Sequence, residues 1–275
     1  MRQSIQLMAL LFLFSCFVNP ALSQSEVPIQ FLQVDYMKVA PDKAADYEAL
    51  EKEVWKPIHR ARVEAGTISG WYFYSVMYPA GSSTEYNYLT VNIYDDFSKT
   101  DETYSDDILM KGHPNATAEQ LAEMLQKTMG LREHVRSELW QLEDHVPVEI
   151  AAPFHKANFM KVVPGMDDEY LELERDIWKP IHKTYKQFGY SAGWGSYSLL
   201  FPGGTEQPYN YGTIDFYKDY LELVISVPDS IVRLAHPNAE ELNWDNILSK
   251  TFEIRDHARQ EVRALIDFVN ASTAE

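Results

Sequence analysis

The sequence predicts an α+β protein made of two tandem copies of one βαββαβ unit, and two observations carry that prediction. The first is a repeat. Tyr36-Met37-Lys38-Val39-Ala40-Pro41 recurs 123 residues later as Phe159-Met160-Lys161-Val162-Val163-Pro164, and the same shift carries Trp55-Lys56-Pro57-Ile58-His59 onto Trp178-Lys179-Pro180-Ile181-His182. It also carries Tyr86-Asn87-Tyr88 onto Tyr209-Asn210-Tyr211 and His113-Pro114-Asn115 onto His236-Pro237-Asn238, with no gap needed. Self-similarity at a fixed period marks a duplicated structural unit. The second is rhythm: within each copy, period-two alternation gives way to helical spacing and then returns, twice.

In the first copy, Phe31 to Val39 alternates and reads as a strand. Asp42 to Gly66 follows as a helix, with Tyr47, Leu50, Val54 and Ile58 at helical spacing and Gly66 at the C-cap glycine position. Trp71 to Tyr78 and Tyr86 to Tyr94 are aromatic, β-prone runs around a Pro79-x-Gly81 turn, which predicts a hairpin. A loop of roughly twenty residues leads to a helix from Ala116 to Arg132. Asn115 and Asn238 stand at N-cap positions, with Glu241 completing a capping box on Asn238. His134 to Leu142 alternates again and closes the unit. The order βαββαβ is the ferredoxin-like unit, whose sheet has one face left bare by its helices.

On these motifs the chain resembles a single-chain, tandem version of the dimeric α/β-barrel superfamily, which includes NIPSNAP proteins, antibiotic-biosynthesis monooxygenases and rhamnose mutarotases. The Met-Lys-Val…Trp-Lys-Pro-Ile-His…His-Pro-Asn pattern is similar to secreted proteins of Bacteroidetes-type bacteria. The resemblance implies two ferredoxin-like repeats packed sheet to sheet as an intramolecular pseudo-dimeric α/β barrel. It also implies cofactor-independent acid–base or oxygenase chemistry if the chain is an enzyme. Rhamnose mutarotases carry a His and an Ile-Trp-Pro motif on the corresponding helix; the order here, Trp-Lys-Pro-Ile-His, differs, so that chemistry is not carried over directly.

Period-two reading of the strands gives the leading candidate site. It places Tyr86, Tyr88, Thr90, Asn92 and Tyr94 on one face, and Tyr209, Tyr211, Thr213, Asp215 and Tyr217 on the matching face of the copy. The fourth strand aligns His134, Arg136 and Glu138 with His257, Arg259 and Glu261, the candidate catalytic residues, and Asp35 and Asn158 stand at equivalent mid-strand positions. Buried together, such groups shift one another's pKa in the way acid–base catalysis requires. The structural alternative is that the Arg–Glu pairs are ladder ion pairs at the seam and the tyrosine hydroxyls complete their hydrogen bonding. A second candidate is the face shared by Glu51, Trp55 and His59, and by Glu174, Trp178 and His182, on a helix interrupted by Pro57 or Pro180. It offers too few ligands for a metal site, so neither metal nor cofactor is expected. His113 and His236 read as turn residues beside Pro-Asn.

Arg2 precedes an apolar run, Ile5 to Val18, too short for a membrane span and suited to a secretory signal. Ala21-Leu22-Ser23 places cleavage before Gln24; a lipoprotein signal through Cys16 fits less well because of Phe14. The expected organisation is signal peptide 1–23, first repeat 24–146 and second repeat 147–275, secreted or periplasmic. Cleavage removes the single cysteine, leaving no disulfide or thiol nucleophile. The 275-residue chain has a net charge of −17, which disfavours nucleic acid as a partner. No phosphate-binding glycine loop or nucleophile elbow is present. The expected partner is a small organic ligand, aromatic or sugar, in a polar–aromatic pocket; the alternative is a non-catalytic interaction or structural protein. The oligomeric state is not readable from the sequence.

Overall fold

β1 (Phe31–Val39) sends Leu32, Val34 and Tyr36 to one side and Met37 and Val39 to the other, and both sides are buried. A strand buried on both faces needs a layer on each, and this sets the architecture. The computed structural model describes residues 27–273 except 103, 150, 226, 227, 240 and 241. The expected signal segment 1–23, with Cys16 and the Ser23 cleavage site, lies outside the described residues, as does Glu241.

The first repeat continues with α1 (Ala44–Leu50), a π-helical turn (Glu51–Trp55) and α2 (Lys56–Glu64), then β2 (Gly70–Tyr78) and β3 (Tyr88–Tyr94). It ends with α3 (Asp106–Gly112), α4 (Ala118–Leu131) and β4 (Arg132–Val146). The second repeat matches it: β5 (Phe154–Val162), α5 (Asp167–Leu173), a π turn (Glu174–Trp178), α6 (Lys179–Gln187), β6 (Gly193–Phe201), β7 (Tyr211–Tyr217), α7 (Ser230–Ala235), α8 (Trp244–Ile254) and β8 (Arg255–Asn270). The proline breaks are absorbed by the π turns. Pro57 and Pro180 donate no backbone hydrogen bond and would clash with the carbonyl four residues back, and one wider turn relieves both problems. The His113 ring meets the Val54 carbonyl at 2.9 Å and His236 meets that of Ile177 at 3.1 Å, so both histidines serve the disrupted turns. Gly66 adopts the left-handed φ of 72° expected of its cap position.

Three local expectations change. The twenty-residue loop contains α3, and its copy contains α7. Asn115 does not cap α4; Thr117 does, in a reciprocal capping box with Gln120. Asn243 rather than Asn238 caps α8. In both cases Pro-Asn completes a turn and the chain runs a few residues further before a side-chain oxygen meets free helical N–H groups.

The eight strands close in the order β1-β3-β2-β8-β5-β7-β6-β4, every adjacent pair described being antiparallel. The repeats therefore join edge to edge, through β2·β8 and β4·β6, while their bare faces enclose a shared lumen. This is the expected pseudo-dimeric barrel, and closure removes every free sheet edge. Lumen-facing residues include Leu32, Val34, Tyr36, Tyr74, Leu89 and Trp140; separate apolar clusters fill the space beneath the helices. Lys56 of α2 reaches Asp267 of β8 at 2.6 Å, and Lys179 of α6 reaches Asp144 of β4. The lysine of each Trp-Lys-Pro-Ile-His motif thus clamps the opposite repeat. Among the described residues no helix is long and apolar enough to cross a membrane.

The lumen holds two buried carboxylates. Glu138 accepts from Tyr36 (2.8 Å), Trp140 (3.1 Å), Arg136 (3.0 Å) and, across the seam, Tyr209 (2.5 Å). Glu261 accepts from Arg259, from Arg263 at 3.0 and 2.8 Å, and, across the seam, from Tyr86. Burial opposes ionisation of Glu261, but the Arg263 and Arg259 charges outweigh it and lower its pKa. Tyr209→Phe is expected to cost about 1.5–3 kcal/mol in urea unfolding, the loss of one charge-assisted hydrogen bond, within a single transition. Two separate transitions would contradict a barrel shared by both repeats.

Candidate functional site

The sequence-predicted residues divide between two sides of the barrel wall. Arg136, Arg259, Glu138, Glu261, Tyr86 and Tyr209 meet in the lumen, in the network above. His134, His257, Asp35, Asn158, Tyr88, Tyr211, Trp55, Trp178, His59 and His182 lie on the helix-covered side. The barrel wall separates His134 from Arg136.

Two backbone features cause this split. A bulge pairs Tyr36 with Arg136 but Met37 with His134, so Val135 is an extra residue and His134 turns to the opposite face from Arg136 and Glu138. The same bulge, at Phe159/Met160, turns His257 away from Arg259. Tyr86 likewise leaves the face of Tyr88. It precedes β3, and Asn87 uses its side chain to exchange hydrogen bonds with the Val39 backbone (2.8 and 2.9 Å), which resets the alternation. Asn210 makes the equivalent bond to the Val162 N–H at 2.8 Å.

Beneath the helices the two repeats present the same framework. Trp55 donates to Thr128 (3.0 Å) and Trp178 to Thr251 (3.2 Å). Tyr88 donates to Glu48 at 2.9 Å and Tyr211 to Asp167 at 3.0 Å. His59 stacks on Trp71 (4.8 Å, 11°) and His182 on Trp194 (5.0 Å, 11°). At the start of each π turn, burial pushes the Glu51 and Glu174 carboxyls up to about 7. For Glu51 the neighbouring Tyr47 hydroxyl and the charge of Arg132 pull the other way; for Glu174 the charge of Arg255 and the neighbouring Tyr170 hydroxyl do. Both carboxyls are therefore largely protonated below neutral pH.

The repeats differ in what occupies the centre. In the first, the Arg62 guanidinium donates to Asn92 (3.0 Å) and Tyr94 (3.3 Å) and lies 4.8 Å over the Tyr104 ring, which also packs edge-on against Trp55 at 5.4 Å. These two side chains fill the space. His59 is held neutral there by burial and by the Arg62 charge. The polar edge of this region is Asp35, on which hydrogen bonds from His134, Ser137 and Gln33 outweigh burial and lower the pKa.

In the second repeat Tyr185 replaces Arg62, Asp215 replaces Asn92, and Asn158 replaces Asp35. The position of Tyr104 corresponds to Val227, outside the described residues. Among the described residues a cavity of about 220 Å³ lies in this region, lined among others by Asn158, Glu174, Trp178, His182, Asp215 and His257. His182 Nδ1 lies 3.4 Å from Asp215 Oδ1. Burial lowers the His182 pKa against the pull of the Asp215 charge, so the imidazole is neutral at pH 7. Asn158 donates to Asp215 (2.9 Å) and accepts from Gln260 (2.7 Å), fixing the carboxylate. Burial and the Arg255 charge also lower His257. Among the described residues no group of three or more His, Cys, Asp or Glu side chains is arranged to hold a metal ion.

Pairwise reading of the motifs did not single out Tyr185, Arg62 or Trp194. The available signal was the one helix position, seven residues after the tryptophan of Trp-Lys-Pro-Ile-His, at which an arginine in one copy faces a tyrosine in the other.

No protein-family model and no curated protein sequence matches the chain. Solved structures do. A candidate monooxygenase from Fusobacterium nucleatum superposes with a TM-score of 0.52 at 12% identity, over 88% of this chain and 95% of that one. A candidate monooxygenase from Lactobacillus acidophilus (TM-score 0.48, 8% identity, 88% and 96% coverage) and an anthrone oxidase-like protein (0.48, 13%, 91% and 96%) are more distant in shape. At these identities the likeness is one of fold. With the strand order above, it shows a dimeric α/β-barrel fold carried by a single polypeptide.

Proposed function

We propose that the chain is a small-molecule-binding protein whose ligand occupies the helix–sheet cavity of the second repeat, and that His182, oriented by Asp215, takes a proton from that ligand. The observation that carries this reading is the asymmetry of the repeats: one framework built twice, filled by Arg62 and Tyr104 in the first copy and open beside an Asp–His pair in the second. A merely structural duplication has no need of the exchange.

The cavity suits a planar molecule of one or two rings, stacked among Trp178, Trp194 and His182. Nδ1 of His182 lies 3.4 Å from Asp215 Oδ1 without yet bonding it, and in this reading the carboxylate holds a proton on Nδ1 and leaves Nε2 as the basic nitrogen. The 3.4 Å separation tightens when the imidazole gains a proton and the carboxylate pairs with it. Glu174, on the same cavity wall and protonated up to about pH 7, supplies an acid. Neighbouring groups whose environments separate a neutral base from a neutral acid form an acid–base pair. The fold is shared with a candidate monooxygenase, and a proton-abstraction step on an activated ring suits such chemistry. The lumen residues Arg136, Glu138, Arg259 and Glu261 bind the repeats together in this reading. We also propose that the protein is exported, with its mature chain beginning at Gln24 on the strength of the 1–23 signal pattern.

A thermal-shift screen of single-ring and two-ring phenols, quinones and monosaccharides is expected to yield a ring compound that raises Tm. Asp215→Asn should weaken its binding at least tenfold, whereas Tyr104→Ala in the closed copy should change it less than twofold. Equal losses from both would remove the second repeat from the reading.

Glu174 also predicts a pH signature. Its folded pKa of about 7 lies above the ordinary 4.5, so its contribution to stability is complete below pH 4.5 and lost as pH rises towards 7. Glu174→Gln lacks that loss. Between pH 4.5 and 7.5 its stability should therefore rise relative to the natural protein by roughly 3 kcal/mol, read by urea unfolding at each pH; a constant difference would place the folded pKa near its ordinary value. Intact-mass measurement of the protein expressed with its leader in a Gram-negative host should give a chain starting at Gln24; retention of residues 1–23 would refute export by this signal.

A further inference from the structure

The lumen is not filled from end to end. On the opposite side of the barrel wall from the helix–sheet cavity lies a second space of about 580 Å³, within the range of small-molecule sites. Its walls come from both repeats, with Tyr72 and Tyr74 of β2, Tyr197 of β6, Ile214 of β7, and Leu265 and Phe268 of β8. Tyr72 and Phe268 stack at 5.8 Å and 8°, forming a flat aromatic wall.

Gln30, His145, Glu149, Asn270 and Ser272 also line this space, and the two ionisable side chains set among its aromatic walls are Arg263 and His155, cross-strand neighbours on β8 and β5. Arg263 is 4% exposed. Its Nε and Nη2 both bond Glu261 Oε2, while its Nη1 makes no hydrogen bond with the described residues. Glu261 is also bonded by Arg259, whose side chain is 30% exposed, so two guanidinium groups share one carboxylate and only that of Arg259 has water to help neutralise it. The corresponding residue of the first repeat is Trp140, so duplication does not explain the arginine. His155 packs against Tyr74 at 4.7 Å and Phe216 at 4.6 Å, and burial with the Arg263 charge lowers its pKa to about 3. It adds no charge to the wall. His145 at the rim is likewise lowered by burial and by the charge of Lys179, and Glu149 is paired with Lys186. A buried guanidinium that shares its carboxylate with a second one, and turns an unbonded Nη1 towards a chamber walled largely by aromatic rings, gains from an anion that enters there.

We propose that the barrel lumen binds a hydrophobic carboxylate, its apolar body between Tyr72, Tyr74, Tyr197 and Phe268 and its carboxylate against Arg263. The site is separate from the helix–sheet cavity, and it draws on both repeats at once.

Decanoate and decanol, titrated calorimetrically into the mature full chain, share an apolar body and differ in the head group. Decanoate is expected to bind with Kd at or below about 1 mM and at least tenfold more tightly than decanol. Arg263→Met should abolish that preference while leaving decanol binding intact. Because this substitution also touches the Glu261 network, a second measurement uses the unaltered protein: a diazirine-bearing decanoate, photolysed and mapped by peptide mass spectrometry, should label β2, β6 or β8. Equal affinities for acid and alcohol, absence of binding, or labels confined to α6 and α8 would each overturn the proposal.

Discussion

β4 and β8, of 15 and 16 residues, are longer than any other strand described, and the molecule depends on that extra length. Each pairs with the first strand of its own repeat along one part and with the second strand of the other repeat along the next. A four-stranded sheet ending at Leu142 would present a free edge and a bare apolar face. By running on to Val146 and Asn270, the two strands convert both edges into interior pairs and roof the lumen. The buried carboxylates, the cross-repeat tyrosines and the Lys56 and Lys179 clamps all presuppose this closure.

Most of the architecture was legible because it is written twice. A motif such as Trp-Lys-Pro-Ile-His, uninformative once, becomes an alignment anchor when it recurs at a constant interval. The faces of the strands were harder. Alternation predicts a face only while the pairing is unbroken, and single-residue bulges at Val135 and Ala258 leave no mark in composition. The Asn87 and Asn210 side chains that imitate strand backbone are equally silent until their partners on β1 and β5 are known. His134 therefore read as a neighbour of Arg136 although the barrel wall separates them. The candidate site was partly legible: Trp178, His182 and Asn158 belong to it, and Asp215 stood on a marked face. Its meaning was hidden, because the cavity wall is assembled from helices and strands far apart in the chain, with Leu248 and Phe252 of α8 facing Asn158, Thr213 and His257 of the sheet.

The two helix–sheet spaces show how little must change for a packed region to become a cavity. Arg62 in the first copy has a carboxamide, a phenol and an aromatic face around it, and its charge is satisfied without a carboxylate. With Tyr185 in its place no cation remains to be neutralised from that position, and a carboxylate at 215 becomes a partner for the histidine beside it. Charge and volume moved together. The shared elements, Trp on Thr and His on Trp, recur in both copies, while the side chains at 62/185 and 92/215 differ between them.

The short connection from β4 to β5 has a further meaning. In a barrel made of two identical chains every substitution is made twice, once in each sheet, and the two pockets must stay alike. Joining the halves through residues 147–153 replaces a bimolecular encounter by an intramolecular one, at an effective concentration on the order of millimolar. Association then no longer limits how far the copies can drift. Arg62 and Tyr185, or Trp140 and Arg263, can differ at matched positions because one covalent link relieves the barrel of its symmetry.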